Sequence, residues 1–314
     1  MRKFLKKHKH KNMQISGYKR ENIQLWVLCL PGIIKVFVFS YIPMVWLLLA
    51  FKFYIPSYGL FGSPFEGFYN FELLFSSGQA LLLIKNAITI NVLNIFVSTL
   101  VAVLIGLFMH ELAGRGFLKF SQMILIMPFF VSWPLVGLLL KTFIGEGTGM
   151  LASILSSITG SEAGFYKKPE LWPWIIMLSY VWKTAGMSGI TYFAVLMGVD
   201  KSPYEAAQMD GAGTFKVMWH ISLPVLKLMI ILNIIMSSIN ILKVDFNMVY
   251  YLTEGNAVLY ATTDVIETFM FRATQSGTGL EQGTAIGLIQ GLFGLILTLS
   301  INKVCKKFFR ESLF

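Results

Sequence analysis

From Leu25 to Phe53 the chain is an almost unbroken apolar run, and blocks of the same kind recur to residue 304. A bilayer span needs ~20 such residues in a row. Inside hydrocarbon every backbone N–H and C=O must be paired within the protein, so only helices and closed barrels cross. The runs here are continuous and do not alternate in and out, which argues against barrel strands. The fold class that follows is all-α, a polytopic membrane protein with six transmembrane helices. Their expected positions are 25–52, 82–110, 117–143, 172–198, 224–243 and 282–304. Composition agrees: 55% of residues are apolar and 13% charged, where a soluble domain has about a quarter charged.

The net charge of +10 raises the question of nucleic acid. The basic residues sit at the ends of the apolar blocks, which fits the positive-inside rule and argues against a nucleic-acid partner. Residues 1–22 form a basic tail, with eight Lys/Arg and no acid in the first 20. The apolar run after it is too long for a signal peptide and has no small-residue cleavage site. The tail therefore reads as cytoplasmic and attractive to anionic membrane lipid. Arg115, Lys119, Lys201 and Lys216 mark two further inner loops, and Lys303, Lys306, Lys307 and Arg310 mark the C-terminus, with 305–314 as a cytoplasmic tail. On the other side, 53–81 has two Glu and no Lys/Arg, and 244–281 has five acids and one Arg. Both termini are thus expected inside. Cys29 and Cys305 fall near the inner ends of spans, where a disulfide is not expected, and no Cys/His group has metal spacing.

Ionisable residues within spans are costly and usually face an interior cavity. Lys183 lies midway along the fourth span, in "SYVWKTAGMSGITYF". Lining a solute path and belonging to a buried ion pair both explain it. Lys243 and Asp245 fall where the fifth span gives way to the outer segment and can pair with each other or with Lys183. Asn91, Asn94, Asn233 and Asn240 suit interhelical hydrogen bonds or a polar path equally well. The small residues of the fourth span, and Gly283, Gly287, Gly291 and Gly294 of the sixth, read first as helix packing.

The loop 199–223 is unusually polar for a connection between spans. "SPYEAAQMDGAG" has helix-start chemistry: Ser202 as cap, Pro203 in the first turn, Glu205 three residues after the cap. A short helix through Met209, ended by Gly211 or Gly213, is expected. From these features alone, an idle interfacial helix and a docking helix are both open.

Glu205, Ala206 and Ala207 are followed after three residues by Gly211, then after nine by Ile221, Leu223 and Pro224. This spacing resembles the EAA loop of importer-type ABC transporter permeases, at every defined position. "QLWVLCLPGIIKVFVFSYIPM", "MPFFVSWPLVGLLL" and "YVWKTAGMSGITYFAVLMGVDKSPYEAAQMDGAG" resemble the oligosaccharide permeases related to the maltose system, so the likeness spans about 22–310. The extra N-terminal spans and large outer domain of the maltose-type permease have no counterpart here. The resemblance implies a type I ABC importer permease fold over 23–304, in a bacterial cell membrane. It implies that the EAA helix docks on a cytoplasmic ATPase dimer, through Glu205, Ala206, Ala207, Gly211, Ile221, Leu223 and Pro224. It also implies a second, homologous permease as heterodimer partner, an extracellular solute-binding protein and an oligosaccharide substrate. The family's sugar site, carried over without gaps, falls on Tyr180, Lys183, Thr184, Met187, Leu242 and Asp245. This chain would be no enzyme and bind no cofactor; it has no G-x-x-x-x-G-K-[ST] loop, so ATP and Mg belong to the partner ATPase. The alternatives are an ATP-independent secondary transporter or channel for a small polar solute, with Lys183 and Asp245 as an ion site, and a non-transporting scaffold.

Overall fold

A computed structural model of the chain describes residues 25–112, 115–146, 149–159 and 164–309. The whole basic N-terminal tail, and the C-terminal tail beyond Phe309, lie outside the described residues. The described chain is almost wholly helical. Its principal helices are α1 (Leu25–Phe51), α2 (Tyr69–Ser76), α3 (Gln79–Leu112), α4 (Arg115–Ile126), α5 (Trp133–Ile144), α6 (Met150–Thr159), α7 (Trp172–Met197), α8 (Ser202–Met209), α9 (Thr214–Ser238), α10 (Phe246–Thr253), α11 (Ile266–Ser276) and α12 (Leu280–Phe309). The last helix thus runs past the expected boundary at 304, and Cys29 is a free, exposed thiol.

Six uninterrupted spans were expected, and the structure departs from that. Among the described residues, four single helices are long and apolar enough to cross: Leu25–Phe51, Gln79–Glu111, Thr214–Ser238 and Leu280–Lys303. The third expected span, 117–143, is broken. Gly116–Phe130 and Trp133–Ile144 meet at 98°. Val131 and Ser132 are extended between them. Pro134 explains the restart. Its missing N–H costs nothing in the first turn of a helix, so it opens α5 and does not interrupt a longer helix. The fourth expected span, α7, has 26 residues, about 39 Å of helix at 1.5 Å per residue, but too little apolarity to be counted by composition. Its polarity is that of an interior helix: Ala185, Gly186, Gly189 and Tyr192 are buried.

Prolines shape two further spans. Pro43 and Pro224 each follow a π-helical turn, Phe37–Tyr41 and Met218–Ser222. A helical proline clashes with the carbonyl four residues back, here Phe39 and His220, and a widened turn relieves the clash. Pro224 was expected to mark the start of the fifth span. Instead helix begins at Thr214 and passes through it.

The bundle's centre is the pairing of α3 with α7, packed at Ala102, Val103, Leu107, Tyr192 and Leu196 with Met218 and Leu226 of α9. The helices approach closely enough to demand glycine. A Cβ on Gly189 would fall 2.5 Å from Ile105 Cγ2, and one on Gly186 would overlap the Leu125 carbonyl oxygen. Gly186→Val is therefore expected to cost at least about 1–3 kcal/mol by overpacking. Thermal unfolding of the detergent-solubilised chain reads this as a lower midpoint, and an unchanged midpoint would refute the close contact. In α12, Gly283 and Gly287 face Met270 of α11, whereas Gly291 and Gly294 have open space around them. Packing accounts for the first two only.

Candidate functional site

Two interrupted segments meet inside the bundle. One is the bend between α4 and α5. The other is the end of the fifth span, where helix stops at Ser238 and the chain turns through 239–245 before α10. The fifth span had been expected to reach 243. Broken helices leave unpaired backbone groups, and the way these are satisfied defines the site.

Lys183, midway along α7, closes the first break. Its Nζ donates to the Phe129 carbonyl at 2.7 Å and to the Val131 carbonyl. These are carbonyls at the C-terminal end of the α4 segment, where a cation is favoured. The ammonium also lies 5.4 Å from the Trp133 ring centroid and 5.7 Å from that of Phe129, within cation–π range. Neither sequence reading of Lys183 included this carbonyl-capping role.

Asp245 closes the start of α10. Its Oδ1 accepts from the backbone N–H of Asn247 at 2.9 Å and of Met248 at 3.4 Å, an N-cap. Its Oδ2 accepts from Trp133 Nε1 at 2.8 Å. Trp133 therefore ties the two breaks together, with Lys183 against its ring and Asp245 on its N–H. A hydrogen bond to a charged acceptor contributes about 1.5–3 kcal/mol, towards the low end here because Asp245 is exposed. Lys183 and Asp245 make no ion pair within 4 Å and meet instead through Trp133.

Carbonyls of the second break are held from two other helices. Asn91 Nδ2 of α3 donates to Ile241 at 2.8 Å and Lys243 at 3.1 Å. Gln290 Nε2 of α12 donates to the Leu242 carbonyl at 2.7 Å and to Glu267 Oε1 at 2.8 Å. Glu267 Oε1 also accepts from Val244 N at 3.2 Å.

Of the substrate-path candidates, Lys183 and Asp245 meet at Trp133, and Tyr180 packs against the buried cluster to which Trp133 belongs. Thr184 spends its hydroxyl on the Tyr180 carbonyl at 2.8 Å. Met187 is exposed one turn further along α7, and the Leu242 side chain is buried. Trp133, Glu267 and Gln290 were missed. Pro128 and Pro134 flank Ser132, but a proline suits a helix start as well as a kink, so the pair alone does not locate the bend. Asn91 had two readings, and the structure puts its amide on carbonyls of the unwound segment 239–245.

The polar loop folds as a short helix, α8, ending at Met209 as expected. Its start differs. Ser202 makes no side-chain cap; the cap position is Lys201, whose carbonyl accepts from Tyr204 and Glu205. Asp200 Oδ1 instead accepts from Ser202 N at 3.2 Å. Glu205 is then one residue too late for a capping box, and its side chain is exposed. At the other end Gly211 has φ +71°. Its N–H donates to Gln208, and that of Ala212 to Ala207. This is a Schellman close, which favours glycine in the left-handed position. Ala206 is exposed beside Met209, 88% exposed, while Phe215 and Trp219 project at 77% and 61% from the first turns of α9. Ile221 and Leu223 are half-buried and Pro224 is exposed on that helix.

The pattern of the family described as "Binding-protein-dependent transport system inner membrane component" matches residues 95–309. The polygalacturonan/rhamnogalacturonan transport system permease protein YteP of Bacillus subtilis (strain 168) is 32% identical, over 98% of this chain and 95% of that protein. Protein LplB of the same organism is 31% identical, over 92% and 91%. Among solved structures, a bacterial ABC transporter involved in the import of the acidic polysaccharide alginate aligns with a TM-score of 0.82 at 30% identity, covering 94% of this chain and 99% of that one. The bacterial alginate ABC transporter in complex with an alginate pentasaccharide-bound periplasmic protein aligns with a TM-score of 0.81 at 30% identity, covering 94% and 98%.

Proposed function

The chain belongs to the inner-membrane components of binding-protein-dependent transport systems, as a sugar ABC importer permease of the cell membrane; from that premise we propose that it forms half of the pathway for an oligosaccharide, coupled to a separate ATPase through α8. The observation that carries the pathway is the meeting of two broken segments at Lys183, Trp133 and Asp245. Irregular backbone at membrane depth is tolerated where it is buried in protein or lines a cavity. Here it brings aromatic faces and polar groups together, which suits sugar C–H faces and hydroxyls. A second, homologous permease supplies the other half, and a solute-binding protein delivers the sugar from outside. Both termini lie inside.

In this reading α8 is the element the ATPase moves. Its small, exposed Ala206 allows close seating, Glu205 offers a polar contact, and Gly211 fixes the turn into α9. ATP and Mg²⁺ are held by the ATPase, and this chain forms and breaks no bonds. Two relatives are named for polymeric sugars, polygalacturonan/rhamnogalacturonan and the acidic polysaccharide alginate. Acidic oligosaccharides are therefore the first candidates.

The test is a pull-down of this chain from gently solubilised native membranes. A second permease, an ATPase and a solute-binding protein are the expected companions. The binding protein is then titrated with neutral and uronate oligosaccharides, and binding of the latter is expected. A chain that comes alone, even when crosslinked through a cysteine near Ala207, would refute the ATPase-coupled reading.

A further inference from the structure

Glu205, Ala206, Ala207, Gly211, Ile221, Leu223 and Pro224 say where α8 lies but not what fastens it to the bundle. The fastening comes from the residue just before Glu205 and the one between Ile221 and Leu223. Ser222 is 0% exposed. Its Oγ lies 3.2 Å from Glu111 Oε1 at the end of α3 and 3.3 Å from the Tyr204 hydroxyl on α8. A serine hydroxyl carries one proton, and an ionised carboxylate only accepts. Ser222 therefore donates to Glu111, and Tyr204 donates to Ser222. His110 completes the chain. Its Nδ1 is 3.2 Å from the same Glu111 oxygen, and its ring lies 5.1 Å from that of Tyr204. A polar groove of about 340 Å³ opens beside this chain of groups, between α8 and the ends of α3 and α7.

We propose that Tyr204, Ser222 and Glu111 are positioning residues that latch α8 to the inner end of α3, so that movement of α8 is passed to the bundle's central helix pair. The inference rests on the coupling reading above. The geometry favours α3 as the receiver. Met218, in the same π turn as Ser222, packs with Leu107 of α3 and Tyr192 of α7. Without the latch α8 would be held by its chain links alone, residues 198–201 to α7 and the Gly211 turn to α9, with no side-chain tie to α3. Docking and transmission are thereby separate. The first uses the exposed side of α8, and the second uses Tyr204.

The experiment uses the complex co-purified with its ATPase from native membranes. Cys29 and Cys305 are replaced by serine, and a reporter cysteine stands at Thr89. Thr89 is exposed on α3, about 33 Å from Glu111 at 1.5 Å per residue. The probe is ATP with Mg²⁺, and the readout is the ATP-induced change in the rate of labelling by a water-soluble maleimide. Ser222→Ala and Tyr204→Phe are each expected to reduce that change at least about fivefold, as loss of a coupling free energy does, with the amount of co-purified ATPase unchanged. A full response in both, against a lost response in Glu205→Lys, would overturn the latch alone. Unchanged ATPase association and response in Glu205→Lys would overturn the coupling reading, and the latch with it. Failure of Tyr204→Phe to insert would also count against the latch, because its hydroxyl would then serve folding.

Discussion

Gly211→Pro abolishes transport while the protein still inserts in the membrane. Gly211 has φ +71°, and proline is locked near −65°. The substitution also removes the N–H that Gly211 donates to Gln208. Together these cost about 3 kcal/mol or more locally, and each 1.4 kcal/mol is a factor of ten. Uptake is therefore expected to fall at least about 100-fold, and ATPase association with it. The glycine lies in the turn between α8 and α9, and a Cβ there would meet nothing within 4 Å. The penalty is thus conformational and not steric crowding. A graded series checks this. Gly211→Asn, which tolerates the left-handed region, should transport best. Gly211→Ala should fall between, at a cost of about 1–2 kcal/mol. Normal uptake by the proline variant would show that the geometry of α8 is not used in transport.

That the turn at Gly211 was legible in the sequence, while the bend at Val131 was not, has a physical reason. A glycine after a short helix is a local signal, because the left-handed residue and its hydrogen bonds lie within a few positions. The helix start was misread by one residue for a related reason. Ser202, Pro203 and Glu205 fit a capping box, but Asp200 takes the Ser202 N–H and the cap moves to Lys201. Continuous apolarity from 117 to 143 says only that a segment tolerates lipid or a bundle interior. It does not say whether the helix is straight. Pro134 suits a helix start as well as a kink, and what decides between them is Lys183, some 50 residues later, on the Phe129 and Val131 carbonyls. The same holds for 239–245, whose carbonyls are held by Asn91 and Gln290 from α3 and α12. Apolar periodicity had no means of pairing such distant residues. The unusual charges were legible as Lys183 and Asp245, but their shared partner, Trp133, looked like one more apolar residue.

Lys183→Met lowers uptake of every candidate sugar together, by at least about tenfold, and lowers the unfolding temperature as well. The substitution keeps length and removes the ammonium. Two carbonyls at the bend lose their donor, and the Trp133 ring loses its cation. An unpaired buried carbonyl costs about 1–3 kcal/mol, and the lower figure applies at this partly exposed bend. The cation–π contact adds about 0.5–1 kcal/mol. The sum, about 2–3 kcal/mol, loosens α5, and Trp133 can then no longer hold Asp245 at 2.8 Å. A direct substrate contact predicts a different result: uptake would change unequally between neutral and acidic sugars, and the unfolding midpoint would stay where it was. Lys183→Arg separates the two further, since a guanidinium still donates to the carbonyls and keeps its charge. Trp133→Phe provides the complementary cut. It removes the N–H to Asp245 and leaves an aromatic face for Lys183, so loss of uptake in that variant locates the effect in the tie between the two breaks. Uptake and midpoint both unchanged in Lys183→Met would remove this lysine from the pathway.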